Sequence, residues 1–188
     1  MSYSAFTRKN YSSEGFILAR RSFGEADRII VAFTRDFGKL SLIAKGVRRP
    51  TSRKRGGLEI FSYIKFSAVK GKSLDILTEV EVIDQFGEVR KNLKKVSVGY
   101  YFCEVIGRMT RENEVHKEVF EMLKKYFNEL RCSSNLKALR LNFVKEVLVT
   151  LGFWPHDRVM ENPDLILESI VERKLTSPRV GKKMLQQD

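Results

Sequence analysis

Within KGVRRPTSRKRGG, residues 45–57, six cations stand together without one carboxylate: Lys45, Arg48, Arg49, Arg53, Lys54 and Arg55. The chemistry open to such a run is recognition, not bond-making. A guanidinium forks onto two oxygens of a phosphate, and an ammonium acts as a point charge toward the same oxyanions. A solvated loop is the ordinary fate of a charge run, and a localisation signal is a second use. Pro50 and Gly56-Gly57 nevertheless bound the segment between two apolar stretches, and Arg20, Arg21, Arg28 and Lys39 lie in the flanking sequence. Those neighbours favour a phosphate-holding surface.

Other residue types offer less. Gly71-Lys72-Ser73 ends like a phosphate-binding loop, but position 66 is Phe where that motif requires Gly, and a strand follows instead of a helix. It reads as a hairpin turn with an exposed lysine. His116 and His156 have no ligand spacing to Cys103, Cys132 or an acidic pair, so no metal site is expected. The two cysteines read as reduced thiols. No nucleophile elbow or zinc-protease motif occurs, and no catalytic residue is assigned.

The elements that must carry the cations follow from periodicity. From Glu14 to Asp84 apolar residues alternate, as in Ile29-Val31-Phe33, Leu40-Leu42-Ala44 and Leu74-Ile76-Thr78-Val80-Val82. Turn residues at 22–24, 36–38, 50, 56–57 and 70–72 divide this region into five strands, near 14–21, 26–34, 39–47, 58–69 and 73–83. Five short strands without intervening helices predict a small closed barrel. On the fourth strand Phe61, Tyr63 and Lys65 share one face, opposite Ile60, Ile64 and Phe66. One face must fill the barrel; the other could offer rings beside cations, as single-strand-binding barrels do.

After Gly87 the period becomes helical. Val96-Tyr100-Cys103-Ile106 and Val115-Val119-Met122-Tyr126-Leu130 mark two helices. The stretch 136–151, apolar nearly all round, is expected to be the central helix of a bundle, N-capped by Asn135 and stopped by Gly152. A further helix is expected over 164–175, and Pro178 could open a last one. The fold class is therefore α+β: a five-stranded barrel over residues 1–84, then an all-α domain over 85–188.

Composition agrees with a packed, basic protein. Hydrophobic residues make up 43%, there are 13 Phe, and the net charge is +12. Residues 1–80 hold 16 basic against 7 acidic side chains, and the remainder 19 against 16. The front half is the one expected to meet a polyanion. The opening MSYSAFTRKNYSSEG lacks the apolar run of a signal peptide, and no stretch is long and apolar enough to span a membrane. A soluble, intracellular protein is expected.

The order of short motifs is specific. G-E-A-D-R at 24–28, T-R-x-x-G-K-L at 34–40, A-K-G-V-R-R at 44–49 and R-G-G-L at 55–58 together closely resemble the amino-terminal domain of the RecO family of DNA repair proteins. YYFCEVIGRM, LKALRLNFVKEVLVTLGFWP and SPRVGKKML extend the resemblance more loosely along the chain. It implies an OB-fold followed by a helical domain, and no enzymatic activity. It also implies binding to single- and double-stranded DNA, strand annealing, and work with RecR, single-strand-binding protein and, indirectly, RecA, in the cytoplasm at the nucleoid.

Lys39, Lys45, Arg48, Arg49, Arg53, Lys54 and Arg55 match the family's basic barrel surface; Arg20, Arg21, Arg28 and Lys65 are further DNA-binding candidates. Many members carry a four-cysteine zinc motif soon after the position of Leu151-Gly152-Phe153; here W-P-H-D-R-V-M-E-N follows, so no zinc is expected. Lys137, Arg140 and Lys145 on the 136–154 helix are candidates for gripping the acidic tail of single-strand-binding protein. An RNA-binding OB-fold protein without annealing activity is the alternative; a membrane-surface protein and a nuclease find less support in the residues.

Overall fold

The computed structural model describes residues 9–52, 54–155 and 160–171, with the backbone alone at 55. Five strands, β1 (Asn10–Phe23), β2 (Asp27–Thr34), β3 (Gly38–Ala44), β4 (Tyr63–Val69) and β5 (Asp75–Asp84), close into a barrel of order β1-β2-β3-β5-β4. All pairings are antiparallel except β3–β5. A bulge between Ile17 and Ala19 lets the 14-residue β1 bend from one partner to the other. Alternation explains the barrel interior. Ile17, Ile30, Ala32, Leu40, Leu42, Ala44, Ile64, Phe66, Ala68 and Leu77 point inward and form one core.

Two expectations about strand ends are corrected. The third strand stops at Ala44 and the fourth begins at Tyr63, so 45–62 is connection, not strand. The alternating pattern of Leu58–Ser62 imitated a strand because the segment is buried for another reason. β3 and β5 share only the pairs Leu42–Asp75 and Ile43–Ile76, leaving a seam. The connection closes it: Val47 and Leu58 are buried in the barrel core, and Lys54 Nζ donates to the Leu77 carbonyl at 3.0 Å from beside a 3-10 turn at Arg55–Gly57.

The helices are α1 (Gly87–Arg90), α2 (Leu93–Met109), α3 (Lys117–Cys132), α4 (Leu136–Thr150) and α5 (Pro163–Val171). Asn92 caps α2 by accepting from Lys94 and Lys95 N–H, and Asn135 caps α4 by accepting from Ala138 N–H at 3.0 Å. Gly152, at φ +76°, takes the left-handed conformation just past α4. The central helix is α2, not the 136–151 segment: α2 is buried on several sides, against β1, α1, α3, α4 and α5, whereas Lys137, Asn142 and Lys145 leave one side of α4 in solvent. The expected helix over 164–175 is seen as 163–171; its remainder, the segment opened by Pro178 and His156 lie outside the described residues.

A second core joins the two halves. Phe16, Leu18, Phe33, Phe61 and Tyr63 pack from the barrel's outer face against Phe102, Phe120, Phe127 and Phe143 of the helices. The rings of Phe16 and Tyr63 stack at 4.7 Å, and those of Phe16 and Phe127 at 5.3 Å.

Candidate nucleic-acid interface

Cross-strand register decides which side chains share a surface. The pairs Arg21–Ile29, Ile29–Ile43 and Ile43–Ile76 define one row across β1, β2, β3 and β5 on the barrel's outer face. Helices cover the part of that face around Phe16 and Phe33 and leave this end open. A cleft of about 950 Å³ lies there. Half-buried Ile43, Leu74 and Ile76 form its floor, and the exposed Lys9, Lys45, Lys70 and Lys72 form its rim. Phe23, two residues beyond Arg21 on the same face, lines it with 48% of its surface exposed.

Neighbouring groups set the charge of the rim. Lys70 Nζ lies 2.8 Å from Asp75 Oδ2, which also accepts from the Tyr11 hydroxyl at 2.6 Å. Burial alone would raise the Asp75 pKa; hydrogen bonds from Lys70, Tyr11 and Gly71 outweigh it and hold the carboxyl below its ordinary value. Lys70 is thus compensated. Among the described residues no carboxylate pairs with Lys9, Lys45 or Lys72.

The turn after β3 extends the positive surface. Its backbone is pinned to the β1–β2 turn: Gly46 N–H donates to Asp27 Oδ1 at 2.7 Å, and Arg48 N–H to the Ala26 carbonyl at 2.9 Å. Arg48 and Arg49 stand exposed on it, and the Arg48 guanidinium donates to the Gly24 carbonyl in the β1–β2 turn at 3.4 Å.

Other expected contacts are elsewhere. Arg20 is ion-paired with Glu59, because alternation along β1 turns it to the face opposite Arg21. Arg28 is half-buried, in register with Ser22 and the inward Ala44. Lys39 is spent inside the molecule: its Nζ donates to the Gly107 carbonyl at 2.7 Å and to that of Thr110, at the C-terminal end of α2. Burial lowers its pKa, an effect the Glu112 carboxylate partly offsets. Lys54 is held by β5, and Lys65 is flanked across the strands by Glu14 and Glu81. Phe61 and Tyr63 form no outward aromatic face; both are buried in the shared core. Arg53 and the Arg55 side chain lie outside the described residues.

On the helical side Lys137 and Lys145 are exposed, whereas Arg140 pairs with Asp164 at 3.1 Å and lies over the Tyr101 ring. His116 precedes α3 and sits 3.5 Å from Glu114. Among the described residues no group of three or more His, Cys, Asp or Glu could hold a metal ion, and no helix is long and apolar enough to cross a membrane. The buried Cys103 thiol is pushed up to about 12 by desolvation, leaving it a poor nucleophile.

Sequence reasoning missed Phe23, Lys9, Lys70 and Lys72. A usable signal existed: in an OB barrel the β1–β2 and β4–β5 connections flank the same face. Applied to turns 24–26 and 70–74, that rule brings Phe23 and Lys72 together.

Comparison with known proteins bears on what meets this surface. Residues 8–86 match the family model "Recombination protein O N terminal", and residues 90–156 the model "Recombination protein O C terminal". The chain is similar to "DNA repair protein RecO" of Alkaliphilus metalliredigens, with 31% identity over 77% of this chain and 59% of that relative. For Desulfitobacterium hafniense the figures are 29%, 94% and 64%. For Halalkalibacterium halodurans they are 32%, 63% and 48%. The chain thus spans less than two thirds of these relatives' length. Matched in order along both its barrel and its helices, the chain belongs to the RecO family.

Proposed function

We propose that the open end of the barrel binds DNA backbones and that the chain anneals complementary strands without a catalytic step, as a recombination mediator alongside RecR, single-strand-binding protein and RecA. The observation that supports this reading is the grouping of Lys9, Lys45, Lys72, Arg21, Arg48 and Arg49 around one end of the barrel, with no described carboxylate paired to the three lysines. Two strands repel through their phosphates, and cations that neutralise both lower the cost of bringing them together. The exposed Lys137 and Lys145 on α4 are the helical-side contacts for an acidic, apolar tail of the kind single-strand-binding protein would offer.

The test is a four-fold variant, Lys45→Ala, Lys72→Ala, Arg48→Ala and Arg49→Ala, titrated with single-stranded DNA over a salt series. Weaker binding is expected, with the log–log salt slope flattened by about 0.7 per lost phosphate contact, together with slower annealing. Unchanged affinity and slope in the folded variant would defeat the proposal. RNA of the same sequence, run in parallel, separates a DNA mediator from an RNA-binding barrel.

A further inference from the structure

We infer that Phe23 is a base-stacking residue that makes the cleft select unpaired strands, an inference that rests on the nucleic-acid reading above. Phe23 belongs to neither apolar core, yet nearly half its surface faces solvent beside half-buried Ile43 and Ile76. A ring left half in solvent forgoes about half of the stabilisation that full burial would bring, and it continues the apolar floor of the cleft. The backbone beneath it is ordered: Phe23 pairs with Asp27, whose carboxylate is bound to Gly46 N–H. The ring is therefore presented from a fixed hairpin end.

The surroundings define the ligand. An occupant must present flat apolar surface to Phe23, Ile43, Leu74 and Ile76, and negative charge outward to Lys9, Lys45 and Lys72. A single strand does both, with bases turned in and phosphates turned out. A duplex hides its base faces within the stack and offers only phosphate. An acidic peptide with apolar side chains is the rival. The nucleic-acid strand is favoured because positive charge continues past the cleft to Arg21, Arg48 and Arg49, as an extended polyanion requires.

The test compares wild type with Phe23→Ala on three probes of equal length: an oligo(dT) strand, a duplex, and a strand whose residues are abasic. Affinity for oligo(dT) is expected to fall roughly tenfold, the loss typical of one stacked base, while the duplex and the abasic strand bind as before. Phe23→Trp should restore oligo(dT) binding, and its indole emission should be quenched by oligo(dT) but not by the duplex. Equal losses on all three probes, no loss on any, or quenching by an acidic apolar peptide but not by oligo(dT) would each overturn the inference. If Phe23→Ala has no effect while the four-fold cation variant loses its salt dependence, stacking fails and phosphate binding stands. If neither changes binding, both fail.

Discussion

Lys39 and Lys45 lie on one strand and its exit, six residues apart, and their charges have unrelated fates. Lys39 satisfies two carbonyls at the C-terminal end of α2, where a cation also meets the negative end of the helix dipole. Lys45 is left in solvent at the cleft. Lys39→Met is therefore expected to lower unfolding free energy in urea by about 1–3 kcal/mol while the folded variant keeps its DNA affinity. Lys45→Ala should show the reverse pattern. Both lysines looked alike in the sequence because they flank one alternating run, Leu40-Leu42-Ala44, at positions of the same parity; the partner of Lys39 is 68 residues away. Arg20 and Arg21 were separable in principle, since adjacent strand residues face opposite sides. Which side faced out depended on the bulge between Ile17 and Ala19.

Between elements, tyrosine hydroxyls repeat one device. Tyr11 donates to Asp75, Tyr63 to Glu14, Tyr101 to Asp164 and Tyr126 to Glu146, tying β1 to β5, β4 to β1, α2 to α5 and α3 to α4. Burial first, then the carboxylate partner, raises all four tyrosine pKa values. A group whose folded pKa is raised contributes stability that is complete below its unfolded value and lost as pH climbs toward the folded one. Urea midpoints should begin to fall near pH 9, the ordinary value above which the buried Cys103 loses stability, and fall more steeply above about pH 10, where the four tyrosines add losses of the same sign. Lys39, with its pKa lowered, acts in the opposite direction as a single group. Tyr126→Phe should make the alkaline fall shallower, and an unchanged fall would remove that residue from the account. The strands themselves were legible where alternation was clean, as in β2 and β3. The 45–62 connection was not, because Val47 and Leu58 are buried to seal a seam that only the β3–β5 register reveals. Nor was the centrality of α2 legible, since α4 is the more continuously apolar sequence.

At the scale of the whole chain, the break in period near residue 84 reads as a border, yet the larger core runs across it. Burying an aromatic ring stabilises by about 1.5–3 kcal/mol, and a barrel ending at residue 86 would leave Phe16, Phe33, Phe61 and Tyr63 uncovered. Far-UV dichroism and the emission of Trp154, the one tryptophan, are expected to follow a single urea transition in the full chain; two separated transitions would show that the halves fold independently. The sequence could not disclose this union, because periodicity reports that a face is apolar and not what covers it. The α2–α3 connector completes the union by lying along β3: Asn113 N–H donates to the Lys39 carbonyl at 2.9 Å, and Glu112 accepts from the Ser41 hydroxyl at 2.6 Å. Gly38, at φ +66°, permits that approach, since a Cβ there would overlap the Glu114 carbonyl. The connector also sets a carboxylate one alternate position along β3 from Ile43. A polyanion lying over Ile43 would meet that negative fence on one side, so the described residues favour a course away from the helices, past the hairpin tips.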